Sequence, residues 1–296
     1  MTRRIVILSH GDSVVPELLA ALHARGVRPH ALVLYASSPL REWRALPPAQ
    51  RVAAFPLVPL RWARRRLRLR PARETRERVG QVVVTGPLNG RAMARDLRRL
   101  APDVLFLAGC GILSAEILAI PREGTVNAHP ALLPWVRGNG AVENSILMGV
   151  PLGCTAFWVD PGIDTGRVIA RRLLAVPGGE TLKELNAAAR ALWVEMTAAL
   201  AAAASAGPLP PGSAQETRFP LRHAVRDAEG RATVAAAVER GVPRALFERW
   251  RPFCDPGDLS LHPDADPPAP AAAESSVSLA AGGDPGAAGV ASRATR

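Results

Sequence analysis

Arg4–Ser9 (RIVILS) is a short apolar run that stops at His10-Gly11-Asp12 and gives way, over Pro16–Arg25, to leucines at helical spacing. An apolar run closed by a glycine turn and followed by helical periodicity predicts strand, turn, helix. Pro29–Tyr35 (PHALVLY) then predicts a second strand, which after a helical crossover returns parallel to the first. The alternation continues with strands expected over Val82–Thr85, Val104–Ala108, Thr125–Asn127, Thr155–Val159 and Val168–Val176. Helices are expected over Ala92–Leu100, Val142–Met148 and Leu182–Ala204. This pattern restricts the chain to the α/β class: an open, mostly parallel sheet with helices on both faces.

Gly207-Pro-Leu-Pro-Pro-Gly ends the last of these helices, so the main domain is expected to span 1–206. A small appendage, 207–254, carries two further helical stretches, Thr233–Arg240 and Arg244–Trp250. From Asp255 the chain turns to Ala, Pro, Gly and Ser with few large apolar residues. Such a stretch cannot bury enough surface to offset its ordering entropy, and 255–296 reads as a disordered tail.

The formal charge of +11 has two explanations that composition does not separate. One is a coding bias toward Arg, Ala, Pro and Gly together; the other is an anionic partner such as a phosphorylated molecule, a nucleotide or a nucleic acid. Leu60–Arg78 (LRWARRRLRLRPARETRER) is the densest basic stretch. It reads as a solvated insertion, or else as a nucleic-acid face on which Trp62 stacks. Cys110, Cys154 and Cys254 lack the spacing of a disulfide framework or a zinc site, so no metal is expected. The apolar run near the N-terminus is too short for a signal peptide or a membrane span, leaving the cytoplasm as the expected compartment.

Open α/β sheets bind ligands at the carboxyl ends of their strands. Three turns lie there: Gly109-Cys110-Gly111, the peptide Asn127-Ala-His129-Pro130, and Asp160-Pro-Gly-Ile-Asp164-Thr-Gly166. Asn127 and His129 are two apart, and on a strand they point to one side. An amide, an imidazole and a carboxylate together could stabilise a developing oxyanion and move a proton. Asp164 beside His129 would favour the imidazolium. Taken singly, Asn127 could cap a turn, His129 could pack near Trp135, and Asp164 could belong to an Asx turn. The absence of a GxGxxG fingerprint leaves a nicotinamide cofactor without support.

The blocks VNAHPALLPWVRG and VDPGIDTG, with APDVLFLAGCGILSAEIL upstream and LGCTAFWV between them, resemble the folate-dependent formyltransferases. That family acts on glycinamide ribonucleotide, methionyl-tRNA and amino sugars. The resemblance covers residues 80 to about 200 and implies a Rossmann-like fold, with 10-formyltetrahydrofolate as formyl donor and an amine as acceptor. It carries catalytic roles onto Asn127, His129 and Asp164. Folate contacts fall on Gly111, Ile112, Leu113, Asp160, Gly162 and Ile163. Acceptor contacts fall on His10 and Gly11, with less claim for His223 and His262; Arg137 is read as structural or acceptor-facing rather than catalytic. The AGCGILS stretch and the interval from His129 to Asp164 are slightly shorter than the family's usual form. A small anionic or sugar-type amine is the expected acceptor. Methionyl-tRNA, glycinamide ribonucleotide, water (a deformylase) and a silent nucleic-acid-binding protein are the alternatives.

Overall fold

The computed structural model describes residues 3–11, 14–35, 72–216 and 219–261. Its main sheet has seven strands in the order β3-β2-β1-β4-β5-β7-β8. These are β1 (Ile5–Ser9), β2 (Ala31–Tyr35), β3 (Gln81–Thr85), β4 (Val104–Ala108), β5 (Gly124–His129), β7 (Gly153–Trp158) and β8 (Val168–Leu173). The run β3-β2-β1-β4-β5 is parallel; β7 lies antiparallel to both β5 and β8. The fold is therefore the expected α/β sheet.

Helices cover both faces because successive strand residues point to opposite sides. Ile5, Ile7, Leu32, Leu34 and Phe106 pack with α1 (Val14–Ala24) and α6 (Leu182–Ala206). Val6, Leu8, Val33, Leu105 and Leu107 pack instead with α3 (Arg91–Leu100) and the short α4 (Ala115–Leu118). Thr181 and Glu184 form a capping box that starts α6: Thr181 Oγ1 accepts from Glu184 N at 3.3 Å, and Glu184 Oε2 from Thr181 N at 2.8 Å. Among the described residues α6 alone is long and apolar enough to cross a membrane, but half of its apolar window is buried in the protein. Its Trp193 indole donates to the Ala128 carbonyl at 2.6 Å. Helix α6 is a core helix.

Several boundaries differ from expectation. β5 runs on through His129, because Ala128 and His129 pair with Ala156 and Thr155 of β7. The helix expected from Thr233 starts at Ala228 as α7 (Ala228–Glu239), since Asp227 caps it by accepting from Gly230 N at 2.6 Å. Two-residue strands β6 (Arg137–Gly138) and β9 (Leu221–Arg222) pair with each other and are too short to leave a periodicity.

The appendage expected at 207–254 is not separate. α7 and α8 (Val242–Trp250) put Val234, Phe247 and Trp250 into one core with Val142 and Ile146 of α5 (Ala141–Leu147) and Leu173 of β8. Nor does disorder begin at Asp255: Leu259 O accepts from Leu173 N at 3.0 Å, and Leu261 is buried in the same core. Residues 262–296, with His262, lie outside the described residues, as do residues 60–71 of the basic stretch. Its remaining part holds the exposed helix α2 (Arg73–Glu77), with an Arg73–Glu77 ion pair at 2.7 Å.

Candidate active site

The site begins with β5. Val126 and Ala128 turn into the core beneath α6, which leaves Asn127 and His129 on the opposite face. After His129 the ALLP peptide is held by Thr155, whose Oγ1 accepts from Leu133 N at 2.9 Å and bonds the Ala131 carbonyl at 2.8 Å. Arg171 Nε donates to the Leu133 carbonyl at 2.6 Å, and its guanidinium lies over the Trp135 ring at 5.4 Å. Trp135 meets Trp250 edge-on at 5.1 Å. Trp135 is thus an anchor for the C-terminal helices.

The DPGIDTG turn is fixed from within and from two sides. Asp160 Oδ1 accepts from Gly162 N at 3.1 Å and from Thr165 Oγ1 at 2.6 Å. Asp160, not Asp164, is therefore the Asx-turn residue. Gln215 Nε2 donates to the Gly166 carbonyl at 2.6 Å. Arg137 donates to the Ile163 carbonyl from Nε (3.1 Å) and Nη2 (2.8 Å), and to the Phe219 carbonyl from Nη1 (3.0 Å). Glycine is obligatory at 166, where a Cβ would stand 1.6 Å from the Trp158 carbonyl oxygen. Asp164 adopts φ +54°, and its Oδ2 accepts from Gly138 N at 2.9 Å.

That geometry brings Asp164 Oδ2 to 3.8 Å from His129 Nδ1, close enough for a charge effect but too long for a hydrogen bond. Asp164 favours the imidazolium, as expected, but it does not set the net direction. Burial pushes the His129 pKa below its ordinary value, outweighing the Asp164 carboxylate and a backbone hydrogen bond to Val136, which both push it up. Nε2 is buried with no partner among the described residues, and Nδ1 is the nitrogen that faces the Asp164 carboxylate. Burial thus favours the neutral ring, which carries one lone pair able to accept a proton.

Two clefts meet at Asn127 and His129. The smaller, about 290 Å³, is lined by Gly111, Ile112, Leu113, Asp160, Gly162, Ile163 and Asp164, with apolar walls from Leu107, Phe157 and Val159. The larger, about 500 Å³, is lined by Asn139, Glu143, Asn186, Arg190 and Trp193. His10 and Gly11 line neither. His10 is exposed at the end of β1, its ring 5.3 Å from that of Tyr35, and Gly11 N donates to Ser9 Oγ at 3.2 Å. Arg137 also lines neither cleft; its guanidinium braces the aspartate turn, which fits the structural one of its two expected roles. Cys110 Sγ bonds the Leu8 carbonyl at 2.9 Å, and burial pushes its thiol up to about 12, so it is no nucleophile at neutral pH.

Sequence reasoning missed Asn139, Glu143, Asn186 and Arg190, and it ranked His223 low and passed over Arg222, which both line the smaller cleft. No local motif marks them. The position of Asn186 and Arg190 on the α6 face toward β5 was the available signal.

An imidazole, a side-chain amide and a carboxylate stand where two clefts join above a mostly parallel sheet, an arrangement chemically able to move a proton and to stabilise a developing oxyanion. A family model described as formyl transferase matches residues 3–199, and the chain belongs to that family. A methionyl-tRNA formyltransferase of Halorhodospira halophila is 32% identical over 188 residues, 63% of this chain and 54% of the relative. Another, of Bordetella parapertussis, is 30% identical over 205 residues, 68% of this chain and 64% of the relative. The matched part thus spans between half and two thirds of these relatives. Among solved structures, a sugar N-formyltransferase from a Shewanella species superposes with a TM-score of 0.51 at 13% identity, over 79% of this chain and 87% of that one. A glycinamide ribonucleotide transformylase from Symbiobacterium toebii gives 0.51 at 20% identity, over 72% and 93%. These likenesses concern the fold.

Proposed function

We propose that this protein moves a formyl group from 10-formyltetrahydrofolate to the primary amine of a small, hydroxyl-bearing, sugar-type acceptor. The observation that carries this reading is the junction of two clefts at Asn127 and His129, with the Asp164 carboxylate 3.8 Å from the imidazole. The smaller cleft suits the flat ring of the donor: apolar walls from Leu107, Phe157 and Val159 lie beside Gly111, Ile112 and Leu113 and the aspartate turn. The donor supplies the formyl carbon and a departing nitrogen.

Each residue has a definite task. Asn127 donates its amide hydrogen to the formyl oxygen as charge builds there. The His129 imidazole takes the proton that the attacking amine sheds and returns it to the departing nitrogen. Asp164 stabilises the imidazolium in between, offsetting part of the burial cost. Buried surroundings keep His129 neutral beforehand and therefore ready to accept.

For the acceptor, the larger cleft offers amides and one carboxylate. Glu143 receives only a long 3.4 Å contact from Asn186, whereas the Arg190 guanidinium is paired with both carboxylate oxygens of Glu17, at 3.0 and 3.1 Å. This balance suits hydroxyls and an ammonium group better than a phosphate. Methionyl-tRNA is the second reading, favoured by the names of the curated relatives.

The test incubates the protein with 10-formyltetrahydrofolate and a panel of amines while tetrahydrofolate release is followed. Release with sugar amines alone supports the proposal, and release with charged tRNA alone replaces the acceptor. Release without any amine indicates hydrolysis. No release under any condition rejects the transfer reading.

A further inference from the structure

The exposed large apolar side chains among the described residues are Ile112, 62% exposed, and Leu221, 38% exposed, and both line the smaller cleft. Isolated exposed leucines need no explanation, but two facing one cleft are a ligand-like feature. Arg222 lines the same cleft, and its Nε is buried without a hydrogen-bond partner among the described residues. A buried guanidinium donor left unpaired is costly and calls for an acceptor. The carboxylates of that cleft are engaged elsewhere: Asp160 with Gly162 and Thr165, Asp164 with Gly138.

The strap carrying these residues is built into the site. β9 pairs with β6. Arg222 O accepts from Asn139 N at 3.1 Å, and Asn144 Nδ2 donates to the His223 carbonyl at 2.9 Å. A Cβ at Gly138 would stand 2.2 Å from Arg222 O, so the strap lies directly against the residue that also holds Asp164. At about 290 Å³ the cleft is at the small end for a drug-sized ligand, which leaves the remainder of a long donor along its rim.

We propose that this strap clamps the aryl-carboxylate tail of the folate donor: the aromatic ring lies between Ile112 and Leu221, and Arg222 binds the glutamate carboxylate. The assignment rests on the folate-donor reading above and adds a specificity element from outside the matched family region, residues 3–199. A guanidinium pairs with a carboxylate through charge-assisted, often bidentate bonds, and the aryl ring of the tail matches an apolar rim.

The experiment is calorimetric titration with 5-formyltetrahydrofolate and with 5-formyltetrahydropteroate, which lacks the glutamate. The unaltered protein should bind the folate about ten- to a hundredfold more tightly than the pteroate. Arg222→Gln should bind the two equally, at the pteroate level, and Arg222→Lys should keep part of the preference. Leu221→Ser should weaken both ligands alike. An Arg222→Gln protein that retains the full preference overturns the clamp. Equal binding of both ligands by the unaltered protein overturns it as well. Binding of neither ligand sinks the folate reading itself, and the clamp with it.

Discussion

Replacing Asp164 by asparagine isolates one physical effect. Asp164 Oδ2 accepts from Gly138 N at 2.9 Å, and an asparagine carbonyl oxygen can keep that bond. Its φ of +54° suits asparagine as well as aspartate. What disappears is a negative charge 3.8 Å from His129 Nδ1. Two unit charges at that distance interact by about 4 kcal/mol at an effective dielectric constant near 20. The two side chains are only 8% and 14% exposed, so solvent screens the pair little. If His129 becomes an imidazolium on the way to the transition state, about 4 kcal/mol corresponds to a roughly thousandfold loss in kcat, at tenfold per 1.36 kcal/mol. Steady-state release of tetrahydrofolate with the best amine measures it, with donor binding and thermal unfolding as controls that should change little. A kcat within about tenfold of the original would refute the imidazolium argument, as would a collapse of stability that by itself explains the loss.

Further outcomes follow from the same geometry. Because burial lowers the His129 pKa, the unfolded chain, with a histidine pKa near 6.5, binds the extra proton first. The stability this residue contributes is complete above about pH 6.5 and declines as pH falls below it, so His129→Gln should flatten the acid side of a denaturant-midpoint profile; parallel profiles would count against a buried neutral ring. Gly166→Ala drives a Cβ to 1.6 Å from the Trp158 carbonyl oxygen and should cost about 2–3 kcal/mol by urea unfolding. Gly207→Ala meets nothing within 4 Å and should stay within about 0.5 kcal/mol. Thr181→Ala removes the capping box of α6 and should cost about 1 kcal/mol in the same assay; no change would mean that tertiary packing alone fixes that terminus.

Local pattern was enough for the sheet. Apolar runs of strand length, closed by glycine turns and separated by helix-spaced leucines, determine Ile5–Ser9, Ala31–Tyr35 and Val104–Ala108 nearly to the residue, because burial of alternate faces is written in neighbouring side chains. The same local logic put Asn127 and His129 on one side of β5, and the glycines and Asp160 of the second block mark a tight turn. The rule that open α/β sheets bind ligands at strand carboxyl ends linked that turn to His129, and the resemblance supplied the roles.

Tertiary structure decided whatever depends on segments far apart in the chain. The β6–β9 pair joins Arg137-Gly138 to Leu221-Arg222 with two residues on each side, too few for any periodicity, and it delivers Arg222 and His223 to the smaller cleft. Arg137 could be read from sequence as structural or acceptor-facing, and only its distant partners, the carbonyls of Ile163 and Phe219, show the bracing contacts. The protonation state of His129 followed the same rule. Its neighbour Asp164 was legible as a charge, but the sign of the pKa shift was set by desolvation, a sum over every element packed around the ring that no stretch of sequence contains.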